Sequence, residues 1–384
     1  MSRPLAGCRV LDLGIITAGA ATSALLADLG ADVIKVESRS YRDPFRAWTS
    51  APPEGKPQGL APFFRFTNRG KRGISLDLKQ EAGRAAFLRL AARSDVVVEN
   101  FRRGVLDRLG IGYGALKAAN DRIILASISS QGETGPMADY VSFGSTLEAV
   151  AGLASITGYA AGAPVLSGKE VNLPDQNVAI FAAAMIATAW LARREGGDGA
   201  HLDLAQRELT SFMVGEAFAA EMPMPREGNA RAPYALQECV RTADGLWLAL
   251  SVTPDQTAAL DWLIGHDGEA SVRLSVLERW CAAHPLAKCL KVLAAAGIAA
   301  APALDGRGML AARGGLWSRA IASHGEFGLL KGFPFQLDGA PLGVERDAPE
   351  IGADTAAVLA EVGGYGPAEI AALVSSGAAE IAPG

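Results

Sequence analysis

The sequence has few of the side chains that build metal sites and catalytic triads. Its four cysteines, Cys8, Cys239, Cys281 and Cys289, lie far apart and form no C-x-x-C pair, which argues against a zinc site and a disulfide framework. Its four histidines fall in or near predicted turns, so we expect no histidine-based triad or metal cluster. No G-x-S-x-G motif occurs, which counts against a serine hydrolase.

A strong charge of either sign is also missing. With 36 basic and 41 acidic residues the net charge is −5, which does not favour nucleic acid or an anionic membrane as a partner. Asp12 and Asp28 interrupt the Ala-rich N-terminal stretch, so it does not resemble a signal peptide. The apolar run at 178–192 is about 15 residues long, shorter than a membrane span. We expect a soluble, cytoplasmic protein with no nucleic-acid or membrane partner.

The first half of the chain alternates apolar, strand-like runs with helical patterns, which is typical of an α/β fold with a parallel sheet. The predicted strands and the helices between them are strands 8–13, 32–37, 74–79, 95–100 and 122–129, and helices 20–30 and 80–93. Residues 40–70 are rich in proline and arginine and are predicted to be irregular. The apolar run at 178–192 has no charged face and predicts a helix that is buried on all sides.

A shift in composition at 222–233 predicts a linker to a smaller α+β domain. This domain begins with a hairpin that turns at 243–245, and three helical patterns follow it. Two short helices are predicted at 351–376. The predicted organisation is a large Rossmann-like domain formed by 1–222 and 318–384, and a small α+β domain formed by 223–317.

The start of the chain suggests a dinucleotide site, but its first turn does not fit one. Glu37 ends the second strand, where an acid that binds ribose is found in Rossmann folds. The first turn reads G-I-I-T-A-G-A instead of G-x-G-x-x-G, so close approach of a dinucleotide is not supported. We therefore predict a Rossmann-like fold whose ligand is not NAD.

Basic residues gather in the first third of an otherwise acidic chain. Each alone is most simply a solvated surface residue, but together they indicate an anionic ligand with several phosphates. A helix that starts near Thr17 offers free N–H groups to such a ligand. These basic residues are Arg39, Arg42, Arg46, Arg65, Arg69, Lys71, Arg72, Arg102, Arg103 and Arg108.

Asp175 stands alone before the apolar helix, in the stretch V-N-L-P-D-Q-N. One interpretation is an N-cap, because aspartate is a favoured capping residue and the helix dipole stabilises its charge. The other is a carboxylate nucleophile in a partly dry pocket. The residues around Asp175 leave both interpretations open.

Several segments resemble the family III CoA-transferases, the CaiB–BaiF family. They are P-L-A-G-C-R-V-L-D-L at 4–13, L-A-D-L-G-A-D-V-I-K-V-E at 26–37, N-R-G-K-R-G-I-S-L-D-L-K at 68–79, D-V-V-V-E-N-F-R-R-G-V-L-D-R-L-G at 95–110, S-I-S-S-Q-G-E-T-G-P at 127–136 and I-G-A-D-T-A-A-V-L-A-E at 351–361.

The resemblance implies a CoA-binding large domain, an interlocked, ring-like homodimer and Asp175 as the catalytic residue. In the family the aspartate attacks an acyl-CoA, and CoA passes to an acceptor acid through an anhydride and an aspartyl-CoA thioester. It follows that the chain needs no permanently bound cofactor and no metal. CoA enters as a substrate, acyl-CoA, and the second substrate is a carboxylic acid.

The resemblance also implies residues that contact CoA, and it discriminates between subfamilies. The implied contacts are Ile16, Thr17, Ala18, Leu76, Lys79, Asn100, Phe101, Arg102 and Arg108, with Arg39 displaced by one position from the family's basic residue. Phe143 occupies the place of the histidine that racemases of the family use. Because phenylalanine cannot transfer a proton, transfer is favoured over racemisation. The Gly-rich loop of formyl-CoA transferases is missing, so formyl-CoA and oxalate are not the expected substrates. An acyl-CoA racemase or isomerase, or a silent CoA-binding homologue, are the alternatives.

Overall fold

The structure, a computed structural model, describes residues 3–48, 60–168, 171–219, 225–312, 321–323, 328–338 and 340–382. Its contacts divide the chain into two compact units. The large unit comprises Met1–Leu153, Leu166–Ala219 and Ser318–Gly384, and the small unit comprises Ala154–Val165 and Ala220–Trp317. Both predicted domain boundaries, at 222/223 and 317/318, lie outside the described residues. Residues 154–165 group with the small unit, whereas the sequence placed them in the large domain.

The strands are β1 Arg9–Asp12, β2 Asp32–Glu37, β3 Arg72–Leu76, β4 Val96–Glu99, β5 Ile124–Ser129, β6 Ala200–Ala205, β7 Leu236–Arg241, β8 Trp247–Val252, β9 Ala299–Ala303, β10 Ile321–Ser323, β11 Leu329–Lys331, β12 Gln336–Leu337, β13 Ala340–Pro341 and β14 Ala379–Glu380. The helices are α1 Ala18–Asp28, α2 Pro62–Asn68, α3 Glu81–Ala91, α4 Val105–Arg108, α5 Tyr113–Ala119, α6 Gly144–Val150, α7 Leu153–Ile156, α8 Leu173–Arg194, α9 Gln206–Met213, α10 Glu216–Ala219, α11 Thr257–Ile264, α12 Ala270–Ala282, α13 Leu286–Ala295, α14 Gly306–Ala311, α15 Thr355–Glu361 and α16 Pro367–Ser375.

The large unit is built on a seven-stranded sheet in the order β14-β3-β2-β1-β4-β5-β6. Strands β1 to β6 pair in parallel, and β14 joins β3 in the antiparallel direction. The six parallel strands have the order of a doubly wound sheet, whose ligands bind beyond the carboxyl ends of the strands. The predicted α/β class is confirmed.

Helices cover both faces of this sheet, as a parallel sheet requires. On one face α3, α5, α15 and α16 supply buried residues that include Phe87, Leu116 and Leu359. On the other face α1 and α8 pack against the sheet with Leu26 and Ile186. The predicted C-terminal helices therefore belong to the core of the large unit.

Helix α8 differs from the prediction that it is buried on all sides. Val178, Ala182, Ile186 and Trp190 recur every fourth residue and lie in the core with α1. The opposite face exposes the apolar side chains of Ile180, Phe181, Met185 and Leu191. By length and composition α8 is also the one helix in the described ranges that could cross a membrane, and a third of its apolar window is buried in the protein.

The prediction that 40–70 is irregular is wrong for 44–46 and 62–68, whereas the other described residues of this segment have no helix or strand. A 3₁₀ turn at Pro44–Arg46 and helix α2 interrupt it, and residues 49–59 lie outside the described residues. Phe64 of α2 packs with Phe45 and Leu60 in a small buried cluster. Proline begins both elements, where its missing N–H and fixed φ are tolerated.

The small unit has a core of its own. Strands β7, β8 and β9 form an antiparallel sheet, and β7 and β8 are the predicted hairpin. Helices α11, α12 and α13 pack on this sheet through buried residues such as Leu260, Leu277 and Leu293. The predicted α+β character of this region is therefore present in the described residues.

Candidate active site

A cavity of about 630 Å³ opens at the carboxyl ends of the parallel strands of the large unit. Each of the strands β1 to β6 ends beside it and contributes at least one lining residue from its last position or the loop that follows. This is where doubly wound sheets bind their ligands. The cavity also reaches the first turn of α8, and Asp175 and Gln206 both line it.

Asp175 lies in the first turn of α8 and is not its N-cap. The N-cap is Asn172, and its side chain makes no capping hydrogen bond. The Asp175 carboxylate instead accepts a hydrogen bond from Nε2 of Gln206. Burial raises the pKa of Asp175 to about 6, and the Gln206 hydrogen bond offsets only part of this effect. The carboxyl group is thus mostly ionised at neutral pH, although it is removed from bulk water.

The loop after β1 is held tightly along one wall of the cavity. Asn100 Oδ1 accepts a hydrogen bond from the Ile15 N–H at 2.8 Å, and Asn100 Nδ2 donates to the Ile15 carbonyl at 3.1 Å. The Ile16 N–H donates to Oδ1 of Asp43 at 3.2 Å. Ile16 has φ of 59°, which is costly for a β-branched residue, so these bonds hold a strained backbone beside the cavity.

Two glycines allow this loop to turn directly into α1. A Cβ on Gly14 would approach the backbone carbon of Gly19 to 2.4 Å, and a Cβ on Gly19 would lie 2.6 Å from Asn100 Oδ1. Neither position accepts a side chain without displacing the loop. The G-I-I-T-A-G-A turn therefore uses its glycines for close backbone packing.

Three cations and an aromatic pair also line the cavity. Lys79, Arg102 and Arg108 are exposed, and no acidic side chain in the described part of the chain lies within 4.0 Å of their charged nitrogens. The rings of Tyr41 and Phe101 meet edge to face with centroids 5.7 Å apart. The cavity thus has a partly buried carboxylate and, on other residues of its lining, free positive charge and aromatic surface.

Many of the predicted phosphate-binding residues are engaged elsewhere. Buried ion pairs neutralise Arg46 with Glu37, Arg65 with Asp347, Arg69 with Asp28 and Lys71 with Asp12. Arg72 pairs with Asp32 and Glu361. Arg39 does not line the cavity and pairs with Glu380 instead. The prediction of one basic cluster is therefore wrong for these residues, because local charge density in the sequence does not reveal which acidic side chains they pair with in the folded chain.

The structure brings the other predicted site residues to one cavity. Its lining includes Ile16, Thr17, Ala18, Leu76, Lys79, Asn100, Phe101, Arg102, Arg108, Phe143 and Asp175. The sequence reasoning did not identify Gln206. Its position directly after β6, at the carboxyl end of a parallel strand, was the signal that could have indicated it.

Comparisons with known proteins point to one family. The sequence matches the profile of CoA-transferase family III over residues 5–355. It is 37% identical over 261 residues to the succinate–glutarate CoA-transferase of Agrobacterium fabrum, a match that covers 66% of this chain and 64% of that enzyme. It is 34% identical over 321 residues to the acetyl-CoA:oxalate CoA-transferase of Acetobacter aceti, covering 79% and 81%. The crystal structure of a CaiB/BaiF family protein from Brucella suis has a TM-score of 0.85 at 28% identity, covering 94% of this chain and all of that one.

Proposed function

Because the chain belongs to CoA-transferase family III, we propose that it moves CoA from an acyl-CoA to a carboxylic acid, with Asp175 as the nucleophile. The observation that carries the proposal is a partly buried, desolvated carboxylate lining a cavity whose wall also holds unpaired cations. CoA has a thioester at one end and phosphates at the other. A cavity with these two kinds of surface fits both ends of such a molecule.

The proposed reaction runs through two covalent forms of Asp175. One carboxylate oxygen attacks the thioester carbonyl, the C–S bond breaks, and CoA leaves as a thiolate from an acyl–aspartyl anhydride. The thiolate attacks the aspartyl carbonyl, which releases the donor acid and leaves an aspartyl-CoA thioester. The acceptor carboxylate then attacks the carbonyl of this thioester, the C–S bond breaks, and CoA leaves as a thiolate from a second anhydride. The returning thiolate takes the acceptor acyl group and restores Asp175.

The surroundings of Asp175 suit this chemistry. An anhydride and a thioester both hydrolyse if water reaches them, so a site that limits water protects the intermediates. Val178 and Ala179 follow Asp175 in α8 and are almost fully buried. A pKa of about 6 leaves the carboxyl ionised at pH 7, which the attack requires.

The cations that line the cavity support a place for the CoA phosphates. Lys79, Arg102 and Arg108 come from the loops after β3 and β4 and from α4, so three separate segments present positive charge. Tyr41 and Phe101 offer an aromatic surface on which a base could stack. We therefore place the nucleotide at this part of the cavity and the thioester at Asp175.

The proposed assembly is the interlocked homodimer that the family resemblance implies. The exposed apolar face of α8, with Ile180, Phe181 and Met185, supports a partner surface on the large unit. Light scattering of the purified protein tests it. A measured molecular mass of one chain at micromolar concentration would refute the dimer, and the proposed chemistry would be unaffected.

The test of the nucleophile is Asp175→Ala, assayed with a panel of acyl-CoA and carboxylate pairs. We expect CoA transfer to fall at least ~10³-fold while CoA still binds, because the covalent route is lost. Wild-type protein incubated with acyl-CoA should form an adduct on Asp175, detected by mass spectrometry after hydroxylamine trapping. Asp139→Ala, which removes an exposed carboxylate from the same cavity, is the matched control and should retain activity within a few fold.

Near-normal transfer by Asp175→Ala would refute the proposal. Solvent deuterium in the α-carbon of an acyl-CoA, without CoA exchange, would instead support a racemase or isomerase. That outcome is not expected, because Phe143, which the family resemblance puts at the place of the racemases' histidine, lines the cavity and cannot transfer a proton.

A further inference from the structure

We infer that Gln206 is the residue that positions and tunes the Asp175 carboxylate, and that its amide N–H faces the oxygen on which charge develops when CoA attacks the aspartyl group. The inference rests on the proposed function of Asp175. It assigns a role to a residue that neither the motifs nor the resemblance indicated.

Gln206 contacts Asp175 directly and in one orientation. Its Nε2 donates to Oδ1 of Asp175, and both residues line the cavity. Since an amide nitrogen donates and an ionised carboxylate only accepts, the polarity of this bond is fixed. The bond occupies Oδ1 and leaves Oδ2 as the oxygen that can attack an acyl group.

The backbone of Gln206 is fixed from two sides. Strand β6 pairs with β5 up to Ala205 opposite Ser129, and the N–H of Arg207, the residue after Gln206, donates to the Ser130 carbonyl at 3.1 Å. Thr210 Oγ1 donates to the Gln206 carbonyl at 2.8 Å. Gln206 is itself buried, so its side chain has little freedom. A donor held this rigidly can hold its acceptor without reorganising during the reaction.

The amide is also the polar group that offsets the burial of Asp175. Burial raises the pKa of Asp175, and the hydrogen bond from Gln206 lowers it. Charged and titratable side chains of the elements packed on α8 are bonded elsewhere or exposed. Asp28 binds Arg69, Glu148 binds Ser167, His201 binds Ser127, Asp203 accepts from the Glu133 N–H, Arg207 contacts Gln131, and Glu208 is exposed.

The same contact acts again later in the reaction. Once Oδ2 has formed the anhydride bond, Oδ1 is the carbonyl oxygen of the aspartyl group. When the CoA thiolate attacks Cγ, the electron pair of that carbonyl moves onto Oδ1. Gln206 Nε2 already donates to this atom, so it stabilises the tetrahedral oxyanion as it forms. One neutral amide thus serves both the ground state and the second transfer step.

The test is the acidic limb of the kcat/KM pH profile for CoA transfer, which reports the pKa of the free enzyme's essential carboxylate. In wild type we expect this limb near pH 6. Gln206→Met keeps the length of the side chain but removes the donor, and it should move the limb up by ~1 pH unit. Gln206→Glu adds a second carboxylate and should move it further up. Gln206→Lys adds a positive donor and should move it below wild type.

Gln206→Met should also lower kcat at the pH optimum by ~10²-fold, because the oxyanion donor is gone. The matched control is Gln176→Met, at the next residue of α8, whose amide oxygen binds Lys331 instead of Asp175. It should keep the wild-type limb. A variant that only disturbs packing would lose activity at every pH. The pH of the acidic limb would then not increase in the order Gln206→Lys, wild type, Gln206→Met and Gln206→Glu.

Two results separate this inference from the proposed function. If Asp175→Ala abolishes transfer but all three Gln206 variants keep the wild-type limb, the role of Gln206 is refuted and the nucleophile stands. If Asp175→Ala remains active, the proposed function itself fails. Should Gln206→Met not fold, as judged by circular dichroism, the opposite shifts expected for the Lys and Glu variants still decide the question.

Discussion

Two regions of the large unit withdraw a carboxylate from water, fully for Asp12 and partly for Asp175, and they compensate the charge differently. Beneath the loop after β1, Asp12 has Lys71 Nζ at 2.8 Å and Lys35 Nζ at 4.0 Å, and all three side chains are fully buried. At the start of α8, Asp175 has the amide of Gln206 and no cation within salt-bridge distance in the described ranges. The first region neutralises its charge, whereas the second retains it.

The pKa directions record this difference. Glu37 pairs with Arg46 and feels the charge of Lys35, so it is also a neutralised carboxylate. Burial raises its pKa, but the hydrogen bond and charge of Arg46, with the charge of Lys35 and the Asp43 N–H, more than offset burial and leave the pKa lowered. Burial raises the pKa of Asp175, and the neutral amide does not reverse the effect. A carboxylate whose oxygens are occupied by cations is a structural element. One that keeps a free oxygen and a desolvated charge is available for chemistry.

The largest expected effect is on the free energy of unfolding, when a cation is removed from the region that neutralises Asp12. Lys71→Met removes the closest cation from a fully buried Asp12 and should lower the free energy of unfolding by ~3–5 kcal/mol. Urea denaturation followed by circular dichroism measures this change. Arg103→Met, which breaks an exposed pair with Asp139, is the control and should cost less than ~1 kcal/mol. Equal losses in the two variants would contradict the comparison.

A smaller effect on stability is expected when the Asp175 carboxyl group titrates. Because Asp175 has a folded pKa of about 6 against an ordinary value of 3.8, the folded state binds more protons between these values. Stability should therefore fall as pH rises from about 4 to 6, by up to ~3 kcal/mol for a shift of about two units. Asp175→Asn removes this contribution, so its stability relative to wild type should rise over the same window. A difference that stays constant with pH would show that the folded pKa is unshifted.

The smallest expected effect concerns the exposed cations that line the cavity, whose charge is neither buried nor neutralised. Arg108→Ala should weaken CoA binding by ~3–10-fold, and the loss should shrink as salt screens the exposed charge. Isothermal titration with CoA at two ionic strengths measures it. Lys117→Ala, an exposed cation of α5 outside the cavity, should leave the affinity unchanged. Equal effects of the two substitutions would mean that only overall charge matters.

The sequence predicted much of the sheet because strands β1, β2, β4 and β5 are short apolar runs between helical patterns. It did not predict β14, since a two-residue strand of alanine and glutamate has no periodicity to detect. It also misjudged α8, because Ile180 and Phe181 are as apolar as the buried Ile186. Hydrophobicity shows that a surface avoids water and does not show what covers it.

For the site, the sequence indicated Asp175 and the residues along the cavity wall through local motifs. It could not show that Arg39 pairs with Glu380, which is distant in the chain. It could not show that a neutral glutamine meets Asp175, since that contact depends on how β6 and α8 pack. Motifs record residues that lie near one another in the chain, whereas compensation of charge depends on the folded neighbourhood.

Strand β14 has a consequence for how the chain is made. Leu76 of β3 pairs with Ala379, a residue that the ribosome adds about 300 residues later. During that interval the outer edge of β3 lacks its native partner, and an open strand edge can pair with another chain. Translation therefore leaves a long period in which this edge depends on chaperones or on fast local folding, and a ribosome stalled before residue 379 should expose it.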